Sequence, residues 1–180
     1  MAKLVPALTA LAALILPVQA YAHLPAGAVA PGFSTQAAQA GKVTGFNLKA
    51  ALARGPVVLY FYPKAFTQGC TLETRAFADM HDQFAAAGAT VLGMSADDLE
   101  TLKRFSTEEC RDKFAVGVAT PAIIKAYDVA LQRDGMPQGL SDRTSYVIGQ
   151  DGRIAFVHSE LDYRDHVRLT LEAVKALKAR

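Results

Sequence analysis

The segment at residues 56–62, PVVLYFY, constrains the fold more than any other part of the chain. It is a short, continuous run of β-branched and aromatic residues bounded by Gly55 and Pro63, which is typical of a strand buried on both faces. Apolar residues recur at four-residue spacing across residues 71–87, which predicts a helix, and a second strand is predicted at residues 90–96. A strand that returns parallel to its predecessor through a helix makes a right-handed βαβ unit.

The remaining segments extend this α/β pattern. Residues 97–110 are predicted to form a helix in which Asp97 and Glu100 have the spacing of a capping box. Two strand-like runs, TSYVI and RIAFVH, flank the turn residues Asp151 and Gly152 and predict a hairpin, and a last helix is predicted from Asp165. The order βαβα followed by ββα predicts an α/β fold with a mixed central β-sheet flanked by α-helices.

The N-terminal residues have the pattern of a secretory signal peptide. Lys3 precedes an apolar stretch at residues 4–16, and the AYA sequence that ends at Ala22 has the small-x-small form of a signal-peptidase site. This stretch is shorter than the ~20 residues that a membrane helix needs, so we expect cleavage rather than stable membrane association. We therefore expect residues 1–22 to be removed and residues 23–180 to form a single exported domain, located in the periplasm.

The composition argues against several classes of function. The chain has 19 Lys and Arg against 17 Asp and Glu, without a basic cluster, so nothing indicates nucleic-acid binding. Its four histidines lack the spacing of a metal site and no C-x-x-C pair is present, so we expect no metal and no organic cofactor. The chain has two cysteines, and in an exported protein they can form a structural disulfide or take part in chemistry.

Cys70 is placed where a cysteine is expected to be reactive. It lies at the transition from a loop into a predicted helix, where the helix dipole and unpaired backbone N–H groups favour a thiolate over a thiol. Thr67 lies three residues earlier, where a C-x-x-C oxidoreductase would have its second cysteine. A hydroxyl cannot form a disulfide, but it can hydrogen-bond an incoming peroxide. The alternative, a buried structural thiol, fits the neighbouring Pro63 and Gly69 less well.

These residues carry a resemblance to a known family. The spacing Pro63-x-x-x-Thr67-x-x-Cys70 resembles the active-site motif of the peroxiredoxins, and VVLYFYPKAFTQGCTLE is most similar to the peroxiredoxin Q, or bacterioferritin-comigratory, subfamily. The similarity runs from about Ala30 to the C-terminus and includes RTSYVIGQDGRI. It implies a thioredoxin-like fold and a thiol peroxidase that reduces hydrogen peroxide and organic hydroperoxides. Cys70 would attack the O–O bond and become a sulfenic acid, releasing water or an alcohol.

The resemblance also implies roles for other residues. Pro63 would shield the thiolate and Thr67 would position the peroxide. Arg143, directly before TSYVI, would stabilise both the thiolate and the developing negative oxygen, and Glu73 would orient Arg143. Without the motif, Arg143 would be interpreted as an ordinary surface arginine. The expected partners are a peroxide substrate and a thioredoxin-like or small-thiol reductant, and the subfamily favours a monomer or weak dimer.

The chain departs from the subfamily pattern at Arg75. Many members have a resolving cysteine at this position, five residues after the first, so Cys110 is the remaining candidate to condense with the sulfenic acid. Some relatives place the resolving cysteine on the helix that is predicted here at residues 97–110. We therefore expect a Cys70–Cys110 disulfide. Local unwinding would be required, because a bridge needs Cα atoms within ~7 Å. In the alternative, Cys110 only ends a polar helix and an external thiol resolves a one-cysteine enzyme.

Two other functions remain compatible with these residues. The same fold and cysteines would also suit a non-catalytic redox sensor or holdase, which registers oxidation without rapid peroxide reduction. A thiol–disulfide exchange enzyme is disfavoured by Thr67, because a mixed disulfide would have no adjacent thiol to release it. Rapid peroxide reduction that depends on Cys70 distinguishes the enzyme from the sensor.

Overall fold

The computed structural model describes residues 23–179. The predicted signal peptide lies outside these residues. The strands are β1 (Ser34–Gln39), β2 (Lys42–Asn47), β3 (Val57–Phe61), β4 (Thr90–Ser95), β5 (Ala115–Val118), β6 (Thr144–Ile148) and β7 (Ile154–Ser159). The helices are α1 (Leu48–Leu52), α2 (Gln68–Ala86), α3 (Leu99–Glu108), α4 (Pro121–Ala126) and α5 (His166–Lys178).

The described strands form one mixed sheet in the order β2-β1-β5-β4-β3-β6-β7. The strands β3, β4 and β5 run parallel to one another, and α2 and α3 make the two crossovers between them. On either side the sheet continues with antiparallel pairs, β1 with β5 and β6 with β3. The predicted βαβ unit, the β6–β7 hairpin and the mixed sheet flanked by helices are confirmed.

The central strand β3 is buried on both faces, as its sequence predicts. Val58 and Tyr60 belong to the core cluster under α2, α3 and α5, whereas Leu59 and Phe61 belong to the cluster under α1 and α4. The Tyr60 ring stacks on Phe77 of α2, with ring centroids 4.3 Å apart. A stacked aromatic pair stabilises a fold by about 0.5–1.5 kcal/mol beyond the contribution of the apolar area that it buries. This packing fixes α2 against the sheet and so positions the start of that helix.

The sequence patterns do not predict five of the described elements, which are β1, β2, β5, α1 and α4. The β1 and β2 strands form an antiparallel pair in which few side chains are buried, so their residues lack a strong apolar alternation. In the short β5, Gly117 replaces an apolar side chain, and a Cβ there would lie 2.8 Å from the Met94 sulfur. Of these elements, β1 and β5 pair with each other, and this contact between segments distant in sequence is one that periodicity does not report.

Helix ends also differ from the predictions. The capping-box prediction was wrong, because the N-cap of α3 is Asp98, whose carboxylate accepts a hydrogen bond from the Thr101 backbone at 2.8 Å. Asp97 is directed instead toward the loop that follows β3. The helix α2 begins three residues earlier than predicted, and α3 ends at Glu108, so Cys110 lies outside the helix.

Candidate active site

Cys70 lies in the first turn of α2 and is buried, with 1% of its surface exposed. The first intrahelical hydrogen bond runs from the Thr71 backbone N–H to the Thr67 carbonyl, at 2.9 Å. The backbone N–H groups of Gln68, Gly69 and Cys70 therefore have no acceptor within the helix. Thr67 is the N-cap residue, but its side chain makes no capping hydrogen bond. The positive end of α2 is thus available to a negative charge at the sulfur.

Arg143, directly before β6, holds its guanidinium against this sulfur. Its Nη2 donates to Cys70 Sγ at 3.4 Å, its Nη1 donates to the Glu73 carboxylate, and its Nε donates to the Leu161 carbonyl at 2.8 Å. Burial alone would lower the pKa of Arg143, but the Glu73 carboxylate and the Cys70 sulfur raise it above its ordinary value. The structure therefore brings together Cys70, Arg143 and Glu73, three of the predicted site residues, around a permanent cation.

Gly69 leaves the space that this guanidinium occupies. A Cβ at position 69 would lie 3.2 Å from Arg143 Nη2, closer than side-chain carbons are ordinarily found, and 3.9 Å from a ring carbon of Tyr163. The sequence signal was a glycine directly before the cysteine at the start of a helix. The absence of a side chain at Gly69 leaves space for Arg143, and local sequence does not show this because Arg143 lies more than seventy positions away.

Glu73 is fully buried one turn after Cys70. One carboxylate oxygen accepts from Arg143, and the other, Oε1, has no hydrogen-bond partner among the described residues. The His166 Nδ1 atom lies 3.7 Å from Oε1. Burial raises the pKa of Glu73 to about 8, against the lowering influence of Arg143. Sequence reasoning missed His166, because the spacing of the histidines tests for metal binding and not for packing against a carboxylate.

Pro63 and Thr67 lie in the loop between β3 and α2. Pro63 is half-buried, whereas Thr67 is exposed and its hydroxyl donates to the Lys64 carbonyl at 2.9 Å. Within residues 23–179, no hydrogen bond joins the Thr67 hydroxyl to the Cys70 sulfur, so its predicted role in positioning a peroxide stays a prediction. Asp97 anchors the loop, because its Oδ2 accepts from the Ala65 backbone at 2.7 Å and from the Ser95 hydroxyl at 2.8 Å.

Comparison with known proteins identifies the family. The model of the AhpC/TSA family matches residues 26–157. The chain belongs to the AhpC/TSA family. It is 30% identical to peroxiredoxin Bcp of Escherichia coli strain K12 over 156 residues, which are 84% of this chain and 96% of that protein.

Solved structures agree with this family and with the predicted resemblance to Bcp and peroxiredoxin Q, which is confirmed. Peroxidoxin BcpB of Mycobacterium tuberculosis superposes with a TM-score of 0.75 at 29% identity, covering 86% of this chain and 99% of that one. The bacterioferritin comigratory protein of Xanthomonas campestris, studied for its alkyl peroxide reduction activity, gives 0.70 at 27% identity over 79% and 91% of the two chains. The predicted thioredoxin-like fold is confirmed with them.

The second cysteine of this AhpC/TSA-family chain lies in a turn rather than on a helix. Cys110 follows Glu109, the C-cap residue of α3, and precedes Arg111 and Asp112, whose φ angles of 50° and 62° are in the left-handed region. Its side chain is fully buried, and both cysteines are free thiols. Burial raises the pKa of the Cys110 thiol, and the carboxylates of Glu109 and Asp112 raise it further. In this conformation Cys110 is therefore a protonated, inaccessible thiol.

Three ion pairs join the turn around Cys110 to α2, and we call them the α2 clamp. Arg75 lies where the resemblance implies a resolving cysteine, and its Nε donates to Glu109 Oε2 at 2.5 Å. The same guanidinium reaches the other Glu109 oxygen at 3.3 Å. The remaining pairs join Arg111 to Asp79, and Lys113 to Asp82 at 3.6 Å. Position 75, where the resemblance implies a second thiol, thus carries a positive charge. This charge anchors the turn that contains Cys110, the other candidate for the resolving residue.

Tyr62 belongs to the same buried core cluster as both cysteines. Burial raises its pKa well above the ordinary value, and the Cys110 and Cys70 thiols add smaller raising contributions. The two thiols belong to one buried core cluster, and this cluster must rearrange if they are to be joined.

Two other kinds of site find no support in the described structure. Between residues 23 and 179, no three His, Cys, Asp or Glu side chains gather where they could hold a metal ion. The helices of that same range are too short or too polar to cross a bilayer.

Proposed function

We propose that this chain is a thiol peroxidase of the Bcp and peroxiredoxin Q type, with Cys70 as its peroxidatic residue. One observation carries the proposal: the Cys70 sulfur lies at the N-terminus of α2, 3.4 Å from the Nη2 of a buried arginine. A structural thiol needs neither a helix N-terminus nor a buried cation. A nucleophilic thiolate is stabilised by both, because each favours negative charge.

The first step is attack of the Cys70 thiolate on one oxygen of the peroxide. The S–O bond forms as the O–O bond breaks, sulfur is oxidised to a sulfenic acid, and the leaving oxygen takes a proton to become water or an alcohol. Negative charge moves from sulfur to the leaving oxygen during this step. Arg143 and the unpaired N–H groups at the start of α2 are donors fixed before the reaction begins, which is the arrangement that stabilises such a transition state.

The other predicted residues support this step in distinct ways. Glu73 accepts from Arg143 and directs the guanidinium, as an orienting residue should. Pro63 limits the approach of water to the sulfur, and the exposed Thr67 hydroxyl contacts the peroxide once it is bound. The Asp97 carboxylate holds the loop that carries Thr67.

The second step joins the two cysteines. The Cys110 thiol attacks the sulfenic acid of Cys70, an S–S bond forms, and water leaves. Because Cys110 is buried and clamped to α2, this step requires the turn after α3 to open. A thioredoxin-like protein or a small thiol then reduces the disulfide to two thiols. We place this cycle in a single domain, monomeric or weakly dimeric, exported to the periplasm through the leader pattern of residues 1–22.

The test is a peroxide titration of the mature chain, starting at His23. One equivalent of hydrogen peroxide is added to the wild type and to the Cys70→Ser and Cys110→Ser variants, and free thiols and peptide masses are followed in time. We expect rapid loss of both thiols in the wild type and a Cys70–Cys110 peptide two hydrogens lighter than its parts. Cys110→Ser should stop at a sulfenic acid on Cys70.

Each result decides a separate element of the proposal. A stable Cys70 sulfenic acid with Cys110 still free in the wild type would mean a one-cysteine enzyme that depends on an external thiol. Slow oxidation of Cys70, no faster than that of free cysteine, would refute the peroxidase and leave the redox sensor or holdase. Fractionation of cells expressing the full chain tests export, since a protein that retains residues 1–22 in the cytoplasm contradicts it.

A further inference from the structure

His166, the first residue of α5, is fully buried beside the site, and the chemistry above does not use it. Its ring lies between Glu73, on α2, and the loop at residues 160–165, which joins β7 to α5. Both of these neighbours contact the guanidinium of Arg143. The position of His166 therefore raises the question of what it does for that arginine.

Two hydrogen bonds determine the protonation of the His166 ring. Nε2 lies 2.9 Å from the Glu160 carbonyl oxygen, which can only accept, so Nε2 carries the hydrogen. Nδ1 lies 2.8 Å from the Ser145 hydroxyl, which therefore donates to it. Burial lowers the pKa of His166 to about 4, with further lowering from His158 and Arg143, so the ring is neutral at neutral pH.

The Nε2–H bond fixes the loop that orients Arg143. The Glu160 carbonyl that accepts this bond belongs to the peptide group shared with Leu161, whose own carbonyl accepts from Arg143 Nε at 2.8 Å. The Glu160 backbone N–H also donates to the Arg143 carbonyl at 3.2 Å. His166 is thus one residue removed from the acceptor that sets the direction of the guanidinium.

The opposite side of the ring faces Glu73. Nδ1 lies 3.7 Å from Glu73 Oε1, the buried oxygen without a hydrogen-bond partner among the described residues. A protonated ring would attract this carboxylate and compete with Arg143 for it. A neutral ring, whose Nδ1 lone pair is already occupied by the Ser145 hydroxyl, leaves the Glu73 carboxyl group to Arg143 alone. The His158 ring, whose centroid lies 4.5 Å away, packs edge-on against His166.

We propose that His166 is a positioning residue that fixes the guanidinium of Arg143 toward the Cys70 sulfur and the reacting oxygen. It acts through two contacts, the Glu160 carbonyl on one side and the Glu73 carboxylate on the other. This inference rests on the proposed peroxidase function, because it assigns His166 to the stabilisation of charge that develops on a peroxide oxygen.

The test compares two reactions of Cys70 in a Cys110→Ser background. Peroxide oxidation needs Arg143 both to favour the thiolate and to stabilise the leaving oxygen, whereas alkylation by iodoacetamide depends only on the thiolate and its access. We expect His166→Leu to lower the rate constant with hydrogen peroxide about tenfold to a hundredfold, and that with iodoacetamide by less than about threefold. His166→Gln, whose amide can reach the Glu160 carbonyl, should recover most of the peroxide rate, and His166→Asn, whose amide is too short, should not.

His81→Gln is the matched control. His81 pairs with Asp82 in the C-terminal half of α2, away from Cys70, so this substitution should leave both rate constants unchanged. Circular dichroism establishes that each variant is folded, and the glutamine and asparagine variants retain the test if the leucine variant is not. With Arg143→Gln already present, His166→Leu should have little further effect on the peroxide rate.

Equal losses in both reactions, or an additive loss in the Arg143→Gln background, would show a merely structural role and overturn the inference. Unchanged peroxide rates in all three His166 variants would overturn it as well. These results are distinct from failure of the proposed function, in which the parent protein itself would react with peroxide no faster than free cysteine does.

Discussion

Replacing Arg75 by alanine should accelerate formation of the Cys70–Cys110 disulfide without changing the preceding reaction with peroxide. Arg75 is the cation that α2 itself contributes to the α2 clamp, and it makes a forked contact with Glu109, the neighbour of Cys110. Cys110 is fully buried, Cys70 is 1% exposed, and both are free thiols, so we expect the turn to separate from α2 before their sulfurs meet. The clamp opposes that separation.

The size of the effect follows from the exposure of the pairs. An exposed ion pair contributes about 0.2–1 kcal/mol. The Arg75–Glu109 pair should lie at or above the upper end, because the Glu109 side chain is only 9% exposed and the alanine variant leaves its carboxylate unpaired. A loss of about 1–2 kcal/mol increases the open fraction of the turn about 5- to 30-fold. If opening precedes disulfide formation, that rate increases by the same factor.

Rapid mixing with one equivalent of hydrogen peroxide, followed by acid quenching and peptide mass analysis, separates sulfenic acid from disulfide. Salt supplies a second measurement, because at 1 M ionic strength the screening length falls to about 3 Å and the wild type should accelerate more than Arg75→Ala. Arg168→Ala is the control, since Arg168 makes ion pairs with Asp165 and Glu172 away from the clamp. An unchanged second step in Arg75→Ala would refute the clamp as a barrier, and a slower one would mean that the pair presents Cys110 to its partner.

Three further predictions concern other residues of the site. Gly69→Ala should lower the rate of reaction with peroxide about tenfold, because the new Cβ displaces Arg143 Nη2. The variant should be as stable as the wild type or up to about 1 kcal/mol more stable, because alanine favours the helix. A loss of stability that accompanies the loss of rate would contradict this prediction. Asp97→Ala should lower the rate of reaction with peroxide and lower the free energy of unfolding by about 1–3 kcal/mol, because the loop loses its anchor. Asp98→Ala removes only the cap of α3, so it should lower the free energy of unfolding by about 1 kcal/mol and leave the activity unchanged. As the pH falls from 6.5 to about 4, the wild type should lose up to about 3 kcal/mol of unfolding free energy relative to His166→Gln, because the unfolded chain binds a proton at His166 that the folded chain does not. Urea titrations at a series of pH values measure this difference, and parallel curves for the two proteins would exclude it.

The sequence was sufficient where local pattern and helix geometry determine the outcome. The apolar run of β3 is buried as predicted, and the transition into α2 places Cys70 in the first turn of the helix. The pairing of Arg143 with Glu73 and Cys70 followed from a resemblance rather than from any local signal. Nothing in the residues around Arg143 alone predicts that it is buried.

The parts that the sequence could not supply depend on contacts between distant segments. The spacing of Asp97 to Glu100 predicts a helix cap, yet the adjacent Asp98 takes that position. Asp97 instead accepts a hydrogen bond from the Ala65 backbone. The hydrogen bond from His166 joins the start of α5 to the Glu160 carbonyl. Side-chain patterns in the sequence do not show which main-chain carbonyl accepts a hydrogen bond, so this contact could not be predicted. The α2 clamp likewise requires the relative placement of α2 and the turn after α3.

The location of Tyr62 gives the molecule an optical property. The chain has no tryptophan, so its intrinsic ultraviolet fluorescence comes from tyrosine. Tyr62 and the neighbouring Tyr60 are buried with ring centroids 5.6 Å apart, and the charge environment of both includes the Cys110 thiol. Any oxidation that moves Cys110 therefore changes the surroundings of two emitters at once. The redox state of this protein should be readable in real time from its own emission, without a label.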